Sequence, residues 1–297
     1  MFEAYLEHCE LCPRKCGANR SAGQRGVCGA AGELRVARAA LHFWEEPPIS
    51  GDEGSGTVFF SNCPLHCVYC QNASIANGRS GADISTDRLA KIFLELQSQG
   101  ALNVNLVTAT HYAPQVVEAL VRAREAGLQL PVVWNTSGYE TPETIGFVTP
   151  YVDVFLTDMR YADPATAKAH SHAPDYPASA RAALAAMART DADIIVRILA
   201  IPGHLDEAKE NVRFVFETYG DRVTLSMMSQ YTPPASCPGH PELERRLSAE
   251  EYEELLDFAD SIGCDEYFWQ DGDAAEESFI PDFDSLEGVV GEGLSSR

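Results

Sequence analysis

The chain predicts an α/β fold, a partial barrel of the (βα)6 TIM type preceded by a small N-terminal four-cysteine metal module. Three observations carry that prediction. From residue 85 onward, apolar residues at helical spacing alternate with short β-branched runs, the pattern of parallel strands with covering helices. Strand-like runs start near 57, 103, 131, 152, 194 and 223, with a short seventh candidate at Glu266–Trp269. Polar and sulfur-bearing residues follow several of these runs, at the strand ends where α/β barrels bind ligands. The 297 residues suit one such barrel.

Taken in order, residues 1–30 hold Cys9, Cys12, Cys16 and Cys28 around a polar, glycine-rich NRSAGQRG. Nothing there makes a core unaided, so a metal is expected to order it. Residues 31–56 form a strand or hairpin (ELRVARAALHFW) and a turn-rich connector, EEPPISGDEGSG. The barrel spans 57–280. Thr57–Phe60 is β-branched and aromatic, a buried strand. Ser85–Gln97 places Leu89, Ile92, Phe93 and Leu96 on one helical face. Pro114–Ala126 opens on proline and stops at Gly127. Asn103–Thr108, Pro131–Asn135, Val152–Thr157, Ile194–Ala200 and Val223–Met228 read as strands; Pro177–Arg189 and Leu205–Tyr219 read as helices. Ser248-x-x-Glu251 is a capping box opening a helix through Ile262. Residues 281–297 are a C-terminal extension whose polar end is expected to fray.

Acidic residues outnumber basic ones 44 to 22, for a formal charge of −22. Such a polyanion does not suit a nucleic-acid or anionic-membrane footprint. No apolar run approaches the ~18 residues of a membrane span. The acidic start MFEAYLEHCE lacks the basic region and apolar core of a signal peptide. The expected setting is cytoplasmic, and there the nine cysteines read as metal or redox ligands, not disulfides. The N-terminal four suit zinc or an iron–sulfur cluster. Cys264 reads as a packed small hydrophobe, and Cys237 as an exposed loop residue.

The chemistry centres on TVFFSNCPLHCVYCQN, residues 57–72. Cys63, Cys67 and Cys70 lie just past a strand, with three and then two residues between them. Structural zinc takes four protein ligands, and a [4Fe–4S] cluster normally takes four cysteines. Three thiolates leave one iron open to a small molecule. A zinc knuckle borrowing His66 or another cysteine is the competing reading.

The C-x3-C-x2-C triplet, with Tyr69 before its last cysteine, resembles the radical S-adenosylmethionine superfamily. The opening CELCPRKCGANRSAGQRGVCG is similar to the branch related to pyruvate formate-lyase activating enzymes. The resemblance implies a [4Fe–4S] cluster on Cys63, Cys67 and Cys70, with S-adenosylmethionine on the fourth iron. One electron would cleave the sulfonium to methionine and a 5′-deoxyadenosyl radical, which takes hydrogen from a substrate. Tyr69 would lie beside the adenine. Where the family often carries a Gly-Gly-Glu for the amino group, this chain has Thr108-Ala109-Thr110-His111-Tyr112. Thr108 or Thr110 is then the expected acceptor, and His111 is expected to be packed or capping.

Asn135-Thr136-Ser137-Gly138 is similar to the Asp-Thr-Asn-Gly of glycyl-radical activating enzymes. Asp158-Met159-Arg160 resembles their Asp-x-Lys, and Arg197 with Ile201-Pro202-Gly203 resembles their Arg…Pro-Gly. Asp158, Arg160, Arg197 and Asn135 are accordingly candidate cofactor contacts, and Gln230, in the Ser229-Gln230-Tyr231 that ends the sixth strand, is a candidate contact to the adenosine or the substrate. Arg197, charged within an apolar strand, needs a buried partner: the cofactor's carboxylate, or an acid such as Asp158. The expected partners are an electron donor such as flavodoxin or ferredoxin and a glycyl-radical enzyme, with a small-molecule or peptide substrate equally open. The alternative is a non-catalytic iron–sulfur or zinc protein serving electron transfer or assembly.

Overall fold

The computed structural model describes residues 3–234, 236–270 and 281–290. The strands are β1 (Leu34–His42), β2 (Ser55–Phe60), β3 (Ala82–Ile84), β4 (Val104–Val107), β5 (Val132–Thr136), β6 (Val154–Asp158), β7 (Asp193–Leu199), β8 (Thr224–Met228) and β9 (Tyr267–Trp269). The helices are α1 (Glu3–Glu7), α2 (Pro47–Ser50), α3 (Ala73–Ala76), α4 (Thr86–Ser98), α5 (Ala113–Glu125), α6 (Pro142–Val148), α7 (Pro164–Ser171), α8 (Tyr176–Met187), α9 (Leu205–Tyr219) and α10 (Ala249–Ser261). All nine strands join one sheet in the order β3-β1-β2-β4-β5-β6-β7-β8-β9. From β2 through β4 to β9 every pairing is parallel. The short run near 267 is therefore a seventh parallel strand, and β1 and β3 add an antiparallel edge.

The local signals act as their chemistry requires. The Ser85 side chain accepts from Arg88 N–H and opens α4, whose Leu89, Ile92, Phe93 and Leu96 are buried. Both halves of the Ser248/Glu251 capping box form at α10. One face of the parallel strands packs under the helices through Leu106, Trp134, Phe155, Val196 and Met227. Burying each such side chain stabilises the fold by roughly 1.5–3 kcal/mol.

The other face turns into the barrel, since alternate residues of a strand point to opposite sides. There the connector after β1 does more than turn. His42 pairs with Ser55 at the start of β2, so the chain leaves β1 at the barrel's N-terminal end. Ile49 of α2 then packs on Val133, Leu156 and Ile195. Asn103 Nδ2 donates to the Ile49 carbonyl at 2.7 Å and ties the segment down. The barrel's lower end is thereby filled.

The N-terminal segment docks on the barrel. Leu11 and Ala30 join the main core. The buried Arg20 sits 5.4 Å from the Tyr112 ring and donates to the Ala31 carbonyl. Arg14 donates to the carbonyls of Pro64 and Ser171 at 3.0 and 2.8 Å. Residues expected to lack a core of their own thus share the barrel's. At the other end, Phe283 packs on Phe59, while 291–297, where fraying was expected, lie outside the described residues. No helix among the described residues is long and apolar enough to cross a membrane.

Candidate active site

The cysteine loop begins where β2 ends. Asn62 and His66 both adopt left-handed backbone (φ 74° and 52°), reversing the chain just before Cys63 and just before Cys67. Asn62 is buried and held: its N–H donates to Ile75 O at 2.7 Å and its Nδ2 to Tyr112 OH at 2.9 Å. Cys63, Cys67 and Cys70 line one cavity of about 660 Å³, within the ~300–1,000 Å³ typical of ligand sites. Burial pushes the Cys63 thiol up to about 11 and Cys70 to about 12. They therefore stay protonated until a metal displaces the proton. His66 is not an available fourth ligand, since its ring nitrogens contact Asn77 Oδ1 at 3.2 Å and the Val27 carbonyl at 3.1 Å.

A hydroxyl chain ends on the middle cysteine. Ser171 Oγ donates to Cys67 Sγ at 3.0 Å. With its one hydrogen spent there, Ser171 accepts from Tyr161 OH at 2.7 Å, which in turn accepts from Tyr69 OH at 2.7 Å. Tyr69 also lines the cavity, so it presents a ring surface there while its hydroxyl is used inside the protein.

Inside the barrel the charges form a network. Arg197 Nε donates to Asp158 Oδ1 at 2.7 Å, its Nη2 to Asn135 Oδ1 at 2.7 Å, and its Nη1 to Glu45 Oε2 at 3.3 Å. Glu46 lies 4.0 Å away. The acids Asp158 and Glu45 thus supply the buried partner that Arg197 requires, and Arg197 also lines the cavity. Asn135 lines the cavity as well, with its amide donating to Glu45 at 3.2 Å and its oxygen accepting from Arg197. Burial alone would raise Asp158, but Arg197 and Arg160 outweigh it and hold the carboxyl below its usual range. Burial pushes Glu46 up to about 7 despite Arg197.

Arg160 pairs with Asp158 through Nη2 at 2.6 Å. Its Nε, however, is buried without a partner while the residue lines the cavity. Thr108 and Gln230 also face the cavity. Gln230 is fixed by Gln270, whose Nε2 donates to its Oε1 at 2.7 Å. Thr110 does not reach the cavity. It is buried and its hydroxyl donates to Glu140, which also accepts from Thr136. The left-handed turn at Thr108 (φ 60°) directs the two threonines apart. Burial raises Glu140 to about 7 against those two hydroxyls.

His111 is a packed histidine: Nε2 contacts the Ser61 carbonyl at 2.8 Å, and burial lowers its pKa to about 3. Cys264 is buried as expected, but so is Cys237, because the 237–244 segment folds back on the barrel. In the N-terminal segment Cys9, Cys12 and Cys28 are buried and Cys16 is exposed. A β-carbon on Gly26 would lie 3.3 Å from the Cys16 sulfur and 3.4 Å from that of Cys28, so the glycine leaves these two thiols room to converge. Sequence reasoning missed Glu45, Glu46, Glu140, Tyr161 and Ser171; no local signal marks them, since Glu45 and Glu46 sit in a turn-like EEPP.

A family model described as the Radical SAM superfamily matches residues 57–215. The uncharacterized protein MJ0674 of Methanocaldococcus jannaschii is 28% identical over 272 residues, covering 88% of this chain and 76% of its own. Among solved structures, Streptococcus suis SuiB bound to precursor peptide SuiA aligns with a TM-score of 0.51 at 13% identity, over 71% of this chain. This chain spans 46% of that SuiB chain, and the likeness is one of fold. SuiB bound to S-adenosylmethionine aligns with a TM-score of 0.48 at 12% identity, over 71% of this chain and 45% of that one.

Proposed function

Because this chain belongs to the Radical SAM superfamily, we propose that it reductively cleaves S-adenosylmethionine to a 5′-deoxyadenosyl radical that abstracts hydrogen from a substrate. Membership implies a [4Fe–4S] cluster and S-adenosylmethionine, which together supply the electron and the radical. The observation that carries the proposal is three thiols of one loop lining one cavity beyond a parallel strand, with His66 engaged elsewhere. A closed zinc shell there needs a fourth side chain.

Cys63, Cys67 and Cys70 would hold the cluster. Arg160 would take the cofactor's carboxylate, since its buried unpartnered Nε–H is a donor waiting for an anion. Thr108 would accept from the ammonium group, and Tyr69 and Gln230 would border the adenosine. Arg197, Asp158, Asn135 and Glu45, which line the same cavity, would hold its floor rigid and charge-compensated. Phe59, Phe268 and Leu199, which also line the cavity, exclude water from the reacting carbon. Flavodoxin or ferredoxin as reductant and a glycyl-radical enzyme as hydrogen donor complete the proposal. A small-molecule or peptide substrate stands equally open, because Asn135 and Arg160 occupy the places of the aspartate and the lysine in the motifs of the glycyl-radical activating enzymes.

The test is anaerobic reconstitution with iron and sulfide, reduction by dithionite, and measurement of methionine and 5′-deoxyadenosine. Wild type is expected to form both, and Cys67→Ala neither. Wild-type turnover by Cys67→Ala sinks the cluster assignment. A clustered wild type that forms no 5′-deoxyadenosine is instead a non-catalytic iron–sulfur protein.

A further inference from the structure

Outside the cavity, three segments distant in sequence bring imidazoles to one carboxylate. His170 ends α7, His204 follows β7, and His240 with Glu242 lies at a turn before α10. Donor atoms of His170, His240 and Glu242 all fall within 4.8 Å of one another. A single oxygen, Glu242 Oε1, lies 3.4 Å from His240 Nδ1, 3.7 Å from His170 Nε2 and 3.9 Å from His204 Nε2. The last two exceed a normal hydrogen bond, so these groups converge without bonding. Ligands at ~2.0–2.1 Å in a tetrahedral zinc shell sit ~3.4 Å apart, close to the three distances to Glu242 Oε1; His204 stands just outside the mutual 4.8 Å set and completes the shell by a small inward shift.

Further features single out this cluster from ordinary packed histidines. His204 Nδ1 contacts Glu207 Oε1 at 3.1 Å, while its Nε2 is buried with no hydrogen-bond partner. That carboxylate–histidine pairing fixes the tautomer and frees the other nitrogen's lone pair, as around metal-bound histidines. Glu207 is itself held by the N–H groups of Ala162 and Asp163, each at 2.9 Å. His170 is 1% exposed and still points Nε2 at the cluster. Gly203, at φ +80°, makes the close approach possible, because a β-carbon there would stand 3.1 Å from Glu242 Cβ.

We propose that His170, His204, His240 and Glu242 form a closed site for a divalent first-row transition cation of the zinc class. Its place in the fold gives it a structural consequence. The His170 carbonyl accepts from Val68 N–H at 2.9 Å, its ring meets the Tyr69 ring edge-on, and its neighbour Ser171 bonds Cys67. A cation here ties the 237–244 segment and the end of α7 to the loop that carries the cysteines.

The test is zinc content and X-ray absorption of the full-length, cluster-reconstituted protein after exposure to Zn²⁺ and desalting. His240→Gln and Glu242→Gln are each expected to lose one zinc per chain relative to wild type. Cys12→Ala, with the N-terminal cysteine set broken, is expected to retain a zinc with nitrogen and oxygen scatterers only, at ~2.0–2.1 Å. Equal zinc in wild type, His240→Gln and Glu242→Gln overturns the proposal. So does a Cys12→Ala protein whose zinc is absent or sulfur-bound, whichever site variants fold.

Discussion

Replacing Ser171 by alanine removes one hydroxyl from a fully buried position and leaves Cys67 without its 3.0 Å donor. Hydrogen bonds to the sulfurs of an iron–sulfur cluster raise its potential, because they favour the more negative reduced state. A bond to a charged acceptor contributes ~1.5–3 kcal/mol in all. Only the part that differs between oxidation states counts. Taking about a third to a half gives ~1 kcal/mol, which is roughly 40 mV for a one-electron couple at ~59 mV and ~1.4 kcal/mol per tenfold. Ser171→Ala is therefore expected to shift the midpoint about 40 mV more negative, read by anaerobic redox titration with EPR detection at unchanged iron content. Tyr161 also loses its acceptor, and an unsatisfied buried hydroxyl costs ~1–3 kcal/mol, so the melting temperature should fall. Tyr161→Phe, one link further away, should shift the potential less. A Ser171→Ala cluster at the wild-type potential refutes the claim that this hydroxyl tunes the site.

Glu140 gives a pH prediction. Its folded pKa of about 7 lies above its ordinary 4.5, so between those values the native state holds more protons than the unfolded chain and stability falls as pH rises. Glu140→Gln should remove a loss on the order of 3 kcal/mol, seen in urea unfolding at pH 5 and 8; parallel profiles for the two proteins contradict it. Arg197→Met strands Asp158, Glu45 and Glu46 in the barrel and should cost ~3–5 kcal/mol; a denaturation midpoint near wild type would mean the network is solvated. Cys12→Ala should lower metal per chain, measured as iron, sulfide and zinc, while leaving some cofactor cleavage; unchanged metal and folding count against a site on the four N-terminal cysteines.

What could be read ahead of the structure was whatever repeats or stands at fixed spacing. The strand rhythm, the Ser248 capping box, the cysteine triplet and the need of Arg197 for a buried acid are all local signals. Glu45 and Glu46 were not legible, because EEPP reads as a turn and nothing local says that the turn enters a barrel. Thr110 was misplaced because the left-handed residue at Thr108 redirects the chain, and a threonine gives no advance sign of that conformation. Ser171 and His170 sit in AHSHAPDY, which has no apolar period. Their importance comes from a helix end meeting a loop about 100 residues earlier. Cys237 read as exposed because proline and glycine flank it, yet the segment packs against the strands.

The plug at the barrel's lower end bears on how this protein divides. The family match starts at residue 57, which invites excision of a minimal catalytic piece there. Such a fragment would keep every triplet cysteine yet lose its stopper, Ile49, and two of the three carboxylates around Arg197. Water would enter from below, and a cation left half-neutralised would stand beneath the reactive chamber. The leader strand and its turn are thus as much a part of the chamber as the strands that wall it.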